Sequence, residues 1–220
     1  KGDGKSNVAA PTVQFTAEAG ATLTIDWGNG SGPVAAGTGT GALQSVLAPT
    51  GYLTNGIKTI VVSATDSAGN VTTRTGSYVF DSAAPNAPAI STVAGNDNIN
   101  ASEQAAAISG TAEANATIAL TLGANVRTVT ADGSGAWTYT LQAADITAMG
   151  QGAETLSATA TDAAGNVSAA GTRAITVATV VAGAPTIDSV TADDVINSSE
   201  QGFTITGTVS TGSTVALTLG

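Results

Sequence analysis

Acidic and amide side chains are the residues of this sequence best suited to chemistry, and they recur in short loops between apolar segments. Residues 66–70 and 162–166 share the pattern Asp-x-Ala-Gly-Asn. Carboxylate, amide and carbonyl oxygens are hard ligands, and Ca²⁺ takes roughly six to eight of them. The pattern therefore predicts calcium as a cofactor. The alternative is that these Asp and Asn residues only form tight turns.

The charge balance argues against polyanionic partners. Sixteen Asp or Glu residues face six Lys or Arg, which gives a formal net charge of −10 and a pI near 4.1. Binding nucleic acid or an anionic membrane surface needs a basic face. We therefore expect no nucleic-acid partner and no direct membrane insertion. An acidic surface also suits a long extracellular chain, because net charge keeps it soluble.

The sequence contains neither histidine nor cysteine. Catalytic Ser-His-Asp and Cys-His systems, zinc sites with thiolate or imidazole ligands, and disulfides are all excluded. The adjacent pair Asp193-Asp194 could suggest glycosidase chemistry. Neighbouring residues of a strand point to opposite faces, however, and no pocket-forming insertion is visible. We expect no enzymatic activity.

An internal repeat sets the domain organisation. Residues 100–104 (Asn-Ala-Ser-Glu-Gln) return as Asn-Ser-Ser-Glu-Gln at residues 197–201, a spacing of 97. This period is too long for a solenoid repeat and fits an array of whole domains. It divides the chain into residues 1–80, 81–178 and 179–220, of which the last is only the start of a repeat. We expect the chain to be part of a longer one.

Alternation of apolar residues with Thr and Ser predicts strands. Seven are expected in the middle repeat, at about 88–93, 105–111, 116–122, 126–131, 136–141, 153–161 and 167–177. A short helical turn is expected at 143–149, with Asp145 on the surface. Seven short antiparallel strands predict an all-β immunoglobulin-like sandwich. Trp27 and Trp137 are expected to anchor the cores.

Topology sorts the acidic residues by the end of the domain at which they lie. If the strands alternate in direction, three loops and the incoming linker meet at one end. In the middle repeat that end carries Asp81, Glu113, Asp132, Asp162 and Asn166. The corresponding end of the first repeat carries Glu18, Asp66 and Asn70. Three or four converging carboxylates predict a calcium site at the junction.

The opposite end of the repeat has its own polar loop. The middle repeat places Asp97, Asn100 and Glu103 there, echoed in the third repeat by Asp193, Asp194 and Glu200. These residues could form a second ion site or contact the next domain. Taken singly, each is also compatible with a turn that caps a hairpin.

Five segments together resemble a known family. They are residues 81–85, 95–103, 110–113, 132–137 and 160–166. They are similar to the bacterial immunoglobulin-like repeats of giant type I-secreted, RTX or biofilm-associated adhesins, over most of residues 57–220. The resemblance implies an extracellular rod at the bacterial cell surface, with calcium stiffening its junctions. The second linker departs from this pattern, because Ala178 stands where the first linker has Asp81.

The function expected from these observations is structural. The chain would be a spacer that extends an adhesive tip and supports cell adhesion or biofilm formation. Its partners would be neighbouring repeats of the same chain, with a host or matrix receptor bound only by other regions. One alternative is an array of carbohydrate-binding modules, which exposed Trp27 or Trp137 would favour. Another is a structural subunit of a surface layer or extracellular filament.

Overall fold

The computed structural model describes residues 5–8, 10–49, 54–191, 194–196, 198–199, 202 and 204–218. Strands dominate this part of the chain, and one seven-residue helix accompanies them. Within the same ranges, no helix has the length and apolar content needed to cross a bilayer. The predicted all-β class is confirmed.

The described residues of the first unit form seven strands in two sheets. Their bounds are β1 (Lys5–Ser6), β2 (Thr12–Thr16), β3 (Thr22–Asp26), β4 (Val34–Thr38), β5 (Leu43–Leu47), β6 (Gly56–Thr65) and β7 (Val71–Phe80). One sheet has the order β1-β7-β6-β3-β4, and the other pairs β2 with β5. β1 runs parallel to β7, and the remaining pairs are antiparallel.

Alternation along β3 builds the core of this unit. Leu23 and Ile25 point inward and are fully buried, and Trp27 just beyond the strand is buried as well. The turn that follows depends on a glycine. Gly28 has a φ of +69°, and a Cβ there would meet the backbone of Thr59 at 2.6 Å.

The second unit contains eight strands and the helix. Their bounds are β8 (Ala89–Ile90), β9 (Asn98–Asn100), β10 (Ala107–Thr111), β11 (Thr117–Leu122), β12 (Asn125–Thr130), β13 (Ala136–Thr140), α1 (Ala143–Met149), β14 (Gly152–Thr161) and β15 (Gly171–Ala178). The sheets have the orders β13-β10-β8 and β12-β11-β14-β15-β9. β9 lies parallel to β15, and the other pairs are antiparallel.

The two sheets of the second unit face each other across one core. Ile118, Leu120 and Leu122 alternate along β11 and are fully buried. They share a hydrophobic cluster with Ile108 and Trp137 of the other sheet. Two sheets that interdigitate side chains in this way form a β-sandwich, as the sequence predicts.

The strand predictions for this unit differ from the structure in three places. The first strand is limited to Ala89–Ile90 instead of 88–93. The three-residue strand β9 was not predicted, because Asn98-Ile99-Asn100 offers only one apolar residue. The last strand begins at Gly171 instead of residue 167. Val167 forms only an isolated bridge with Thr161, and the Ser168 hydroxyl accepts the N–H of Ala160, which ends the pairing there.

The expected surface position of Asp145 is wrong. The helix at 143–149 forms as predicted, but it turns Asp145 inward, where the residue is fully buried. Its carboxylate accepts hydrogen bonds from Arg127 Nε at 2.7 Å, Asn125 Nδ2 at 3.0 Å, and Gln142 N at 3.1 Å. The Tyr139 hydroxyl donates a fourth. This network fixes the helix against β12 and β13, which belong to different sheets.

In the described start of the third repeat, two backbone hydrogen bonds join separate segments of the chain. Thr186 N donates to Thr208 O, and Asp188 N donates to Thr206 O, both at 2.9 Å. Gly207 lies against the carbonyl of Thr186, as Gly110 lies against that of Ala89. These contacts repeat those of β8 and β10 at a spacing of 97 residues.

Candidate functional site at the junction of the first two units

The linker that follows β7 is the part of the chain where most predicted site residues should meet. The structure does not gather the predicted carboxylates there. Among the described residues, no three acidic side chains lie close enough together to share a metal ion. Asp193 and Glu200, predicted for the opposite end of the third repeat, lie outside the described residues.

The loop between β14 and β15 is closed by Asp162 and Asn166. Asp162 Oδ1 accepts the N–H of Gly165 at 2.6 Å and of Asn166 at 2.9 Å, and Asp162 Oδ2 accepts Asn166 Nδ2 at 2.7 Å. Burial raises the pKa of Asp162, but the hydrogen bonds from Asn166 and the loop N–H groups outweigh it and place the pKa below its usual value. The carboxylate is therefore charged and already satisfied within its own loop.

The same Asn166 amide reaches the linker. Its Nδ2 donates a second hydrogen bond to the backbone carbonyl of Asp81 at 3.0 Å. The Asp81 carboxylate turns to its own chain, where Oδ1 accepts the N–H of Ala83 at 3.0 Å. The predicted neighbours Asp81, Asp162 and Asn166 do meet, but through an amide and a carbonyl.

The next linker residue is held from the side of the first unit. Asn55 Oδ1 accepts both the N–H of Ser82 at 2.9 Å and its hydroxyl at 2.8 Å. Asp81 and Ser82 are adjacent, so the linker is hydrogen-bonded to the second unit at one residue and to the first unit at the next. We call the residues Asn55, Asp81, Ser82 and Asn166 the linker clamp.

Half of this arrangement recurs at the second junction. Gln151 Nε2 donates to the Thr179 hydroxyl at 2.8 Å, and Gln151 Oε1 accepts the N–H of Thr179 at 2.9 Å. Gln151 follows Asn55 by 96 residues, and Thr179 follows Ser82 by 97. An amide side chain thus holds a linker residue within two positions of the last strand in both units.

Two other predicted acidic loops, one in each unit, act as turns. Asp132 Oδ1 accepts the Ser134 hydroxyl and the N–H groups of Ser134 and Ala136, and these bonds, the hydroxyl's first, lower the pKa of Asp132. Asp66 Oδ1 accepts the N–H of Asn70, while Oδ2 accepts its side-chain amide, which lowers the pKa of Asp66. These are the turn contacts that Asp and Asn side chains commonly make.

Two predicted glutamates contribute only their backbones to the described contacts. The carbonyl of Glu18 accepts the N–H of Ala21, and that of Glu113 accepts the N–H of Ala116. Both side chains are exposed. Glutamates of this kind leave the charge in solvent and bring no ligand to the linker.

At the opposite end, Asp97 is paired with Arg173 of β15. Arg173 Nε donates to Asp97 Oδ1 at 2.6 Å, and its Nη2 contacts Oδ2. The same guanidinium donates to the carbonyl of Ile90 and to the hydroxyl of Thr92. Arg173, first by its hydrogen bonds, lowers the pKa of Asp97 to about 2. This ion pair fastens the β8–β9 segment to β15.

The remaining residues of this loop also form local contacts. Glu103 Oε2 accepts the N–H of Asn100, whose own Oδ1 accepts the N–H and hydroxyl of Ser102. In the third repeat Asp194 Oδ1 accepts the N–H of Val190, as Asp97 accepts that of Val93. Each of these polar atoms forms hydrogen bonds within its own turn.

Comparison with known proteins assigns the second unit to a protein family. The family described as Bacterial Ig domain matches residues 84–179. A bacterial immunoglobulin-like domain from the ice-binding adhesin of M. primoryensis is 31% identical, with 99% of that domain and 43% of this chain covered, at a TM-score of 0.33. The chain belongs to the bacterial Ig domain family.

Longer tandem structures are similar to this bacterial Ig chain as well. A Ca²⁺-stabilized adhesin, which helps an Antarctic bacterium to reach out and bind ice, is 28% identical over 93% of this chain at a TM-score of 0.46. The chain spans 53% of that structure. A tetra-tandem repeat in the extending region of a large adhesion protein is 21% identical over 94% of this chain and 60% of its own length, at a TM-score of 0.38. No curated protein sequence matches the chain.

The donors at the first junction of this bacterial Ig chain do not fit a calcium cage. The position between Asp162 Oδ2 and the Asp81 carbonyl is filled by an NH₂ group, which carries hydrogens and cannot ligate a cation. Calcium needs converging oxygens. Calcium binding by the other acidic loops stays a prediction.

The clamp residues Asn55 and Ser82, together with Gln151 and Thr179, were missed from the sequence. Single amides and hydroxyls carry no chemical signature by themselves. The available signal was positional, because Asn55 and Gln151 occupy equivalent places in successive repeats just before the strands β6 and β14.

Proposed function

We propose that this chain is a spacer region of a bacterial cell-surface adhesin. Its units, residues 1–80, 81–178 and the start of another at 179–220, would follow one another as a rod outside the cell. The linker clamp carries the proposal. A linker hydrogen-bonded at Asp81 to one unit and at Ser82 to the other restricts hinge motion, and restricted hinges are what a spacer requires.

The exposed surface of the chain supports an elongated shape. Its accessible surface is 12629 Å². A compact monomer of 21.1 kDa is expected to expose about 9,000 Å². The excess is that of a chain divided into small units with little surface buried between them.

The partners of such a spacer are its own neighbours in the chain. A receptor or surface would be bound by other regions of the longer protein, and a contribution to biofilm formation would follow from the same reach. A net charge of −10 argues against nucleic acid. Calcium at the first junction is not part of the proposal, because the donors there do not fit it.

The buried tryptophans argue against a carbohydrate-binding module. Trp27 is fully buried and Trp137 is 3% exposed, so neither forms a flat aromatic platform for a sugar ring. We also propose that the chain catalyses no reaction. Reproducible turnover in a broad hydrolase panel that one carboxylate substitution abolishes would contradict this.

Small-angle X-ray scattering tests the spacer function. A compact chain of 220 residues has a radius of gyration of about 17 Å. The longest strands have 10 residues and span about 33 Å. Units of that length placed end to end raise the radius of gyration to about 25 Å. A value near that of a compact chain would contradict the proposal, and ordered polymers in sedimentation would favour a filament subunit.

A further inference from the structure

We propose that the first junction of this protein is closed by amide side chains in place of a cation, with Asn166 as the residue that positions the linker. The inference takes the spacer function as given. It concerns how the junction is held, and it predicts a junction whose stiffness does not depend on calcium.

The chemistry of the contacts fixes the orientation of the Asn166 amide. Both atoms that it faces, Asp162 Oδ2 and the Asp81 carbonyl oxygen, are acceptors without hydrogens. An amide NH₂ has two hydrogens and can serve both at once. The reverse orientation would bring the Asn166 oxygen against two other oxygens at close range, with no proton between them.

The charge of Asp162 is balanced without an ion. Three N–H groups point at its two oxygens, from Gly165, from the Asn166 backbone and from the Asn166 side chain. No pair of further acidic residues joins it among the described parts of the chain. The repulsion that a cation would relieve is therefore missing at this junction.

The first unit contains a natural control for this loop. Asn70 closes the loop after β6 with the same contacts to Asp66, at 2.8 Å from both its backbone and its side-chain nitrogen. In the described contacts its amide reaches no linker carbonyl. Substitutions at Asn70 and at Asn166 can therefore be compared. The first removes only the stabilisation of a loop, and the second also removes the hydrogen bond to the linker.

The experiment uses the full 220-residue chain in calcium and in chelator. The melting temperature of the second unit is compared between wild type and variant within each condition, so that calcium bound by another loop affects both equally. Asn166→Ala should lower it by about 10 °C in both, because two hydrogen bonds are lost, one of them to a carboxylate. Asn70→Ala loses one such bond and should lower the melting temperature of the first unit by a smaller amount.

Asn166→Asp is the discriminating variant. It replaces the NH₂ group by a second carboxylate beside Asp162 and the Asp81 carbonyl, which is an oxygen set suited to calcium. We expect the lowest melting temperature of the series in chelator and a calcium-dependent rise larger than that of the wild type. Asn70→Asp, whose loop has no linker carbonyl, should recover less.

A direct readout is the side-chain amide signal of Asn166 in NMR spectra. It should exchange slowly with solvent and keep its position when calcium is added. An effect of Asn166→Ala on the melting temperature that differs between calcium and chelator, or a calcium-induced shift of this signal, would overturn the proposal. So would an Asn166→Ala variant that melts as the wild type does. Scattering separates this failure from failure of the spacer function, because a calcium-sensitive junction can still belong to an elongated chain.

Discussion

The buried carboxylate of Asp145 offers the sharpest test of the second unit's packing. Asp145→Asn keeps the size of the side chain and removes its charge. The wild-type carboxylate accepts from Asn125 and Arg127 on one oxygen and from Tyr139 and Gln142 on the other. An asparagine can present its single oxygen to only one of these donor pairs, so two donors lose their acceptor.

The magnitude follows from the bonds lost. Hydrogen bonds to a charged group contribute about 1.5–3 kcal/mol each. The Arg127 side chain is 35% exposed and regains water when its partner is neutralised, which reduces the loss. We expect a destabilisation of about 2–4 kcal/mol. For a unit of about 100 residues this lowers the melting temperature by roughly 10–25 °C.

The assay uses the placement of one tryptophan in each unit. In a Trp27→Phe background, Trp137 alone reports on the second unit, and its buried ring should shift to longer emission wavelengths on unfolding. Glu154→Gln is the matched control, because Glu154 lies half-exposed on β14 of the same unit. It should melt within a degree or two of its parent, as surface substitutions have small effects.

The pH dependence of the second unit's stability provides a second test of the Asp145 network. Burial raises the pKa of Asp145, but the hydrogen bonds from Tyr139, Arg127 and Asn125 bring it below the usual value. The stabilisation is therefore complete above the unfolded pKa, about 3.9, and is lost as the pH falls through the folded pKa. Equal melting temperatures of Asp145→Asn and Glu154→Gln would refute the reasoning, and so would parallel acid profiles of variant and parent.

Two further predictions concern the packing of the β8–β9 segment. Gly110→Ala should destabilise the second unit by about 1–3 kcal/mol through overpacking, because a Cβ there would meet a neighbouring carbonyl and the ring of Trp137. Gly133→Ala is the control, because a Cβ at Gly133 meets open space. Equal denaturation midpoints of the two variants would contradict the prediction. Asp97→Asn should reduce the loss of unfolding free energy between about pH 4 and pH 2. The reason is that Arg173 lowers the pKa of Asp97 to about 2 in the folded protein. An unchanged dependence of stability on acid pH would show that the Asp97–Arg173 ion pair does not stabilise the fold.

Most strands of this chain were predictable because the alternation of apolar and polar residues can be seen within a few neighbouring positions of the sequence. Along β11 each inward residue is Ile or Leu and each outward one is Ala or Thr, so the sequence carries the burial pattern directly. β9 was not predictable in this way. It forms because Asp97 and Arg173 bring its three residues against β15, and that ion pair spans 76 positions of the chain.

Topology indicates which residues lie near the junction, but not which contacts they make there. Topology alone placed Asp81, Asp162 and Asn166 at one end of the unit, and the hydrogen bonds join them there. A count of acidic residues could not show that the amide of Asn166 fills the space between the acceptors. The burial of Asp145 was not predictable from the local sequence either, because its partners Asn125 and Arg127 lie 20 and 18 residues away.

In the proposed spacer, the chain itself holds its first two units in a fixed relation. Spin labels test it most directly, and the absence of cysteine allows labelling at Ser45→Cys and Thr128→Cys, one exposed strand position in each unit. The distance distribution between the labels should be single and narrow, identical in calcium and in chelator, and broader in Asn166→Ala. A broad distribution in chelator that calcium narrows would contradict the account, because a cation would then be what holds the junction.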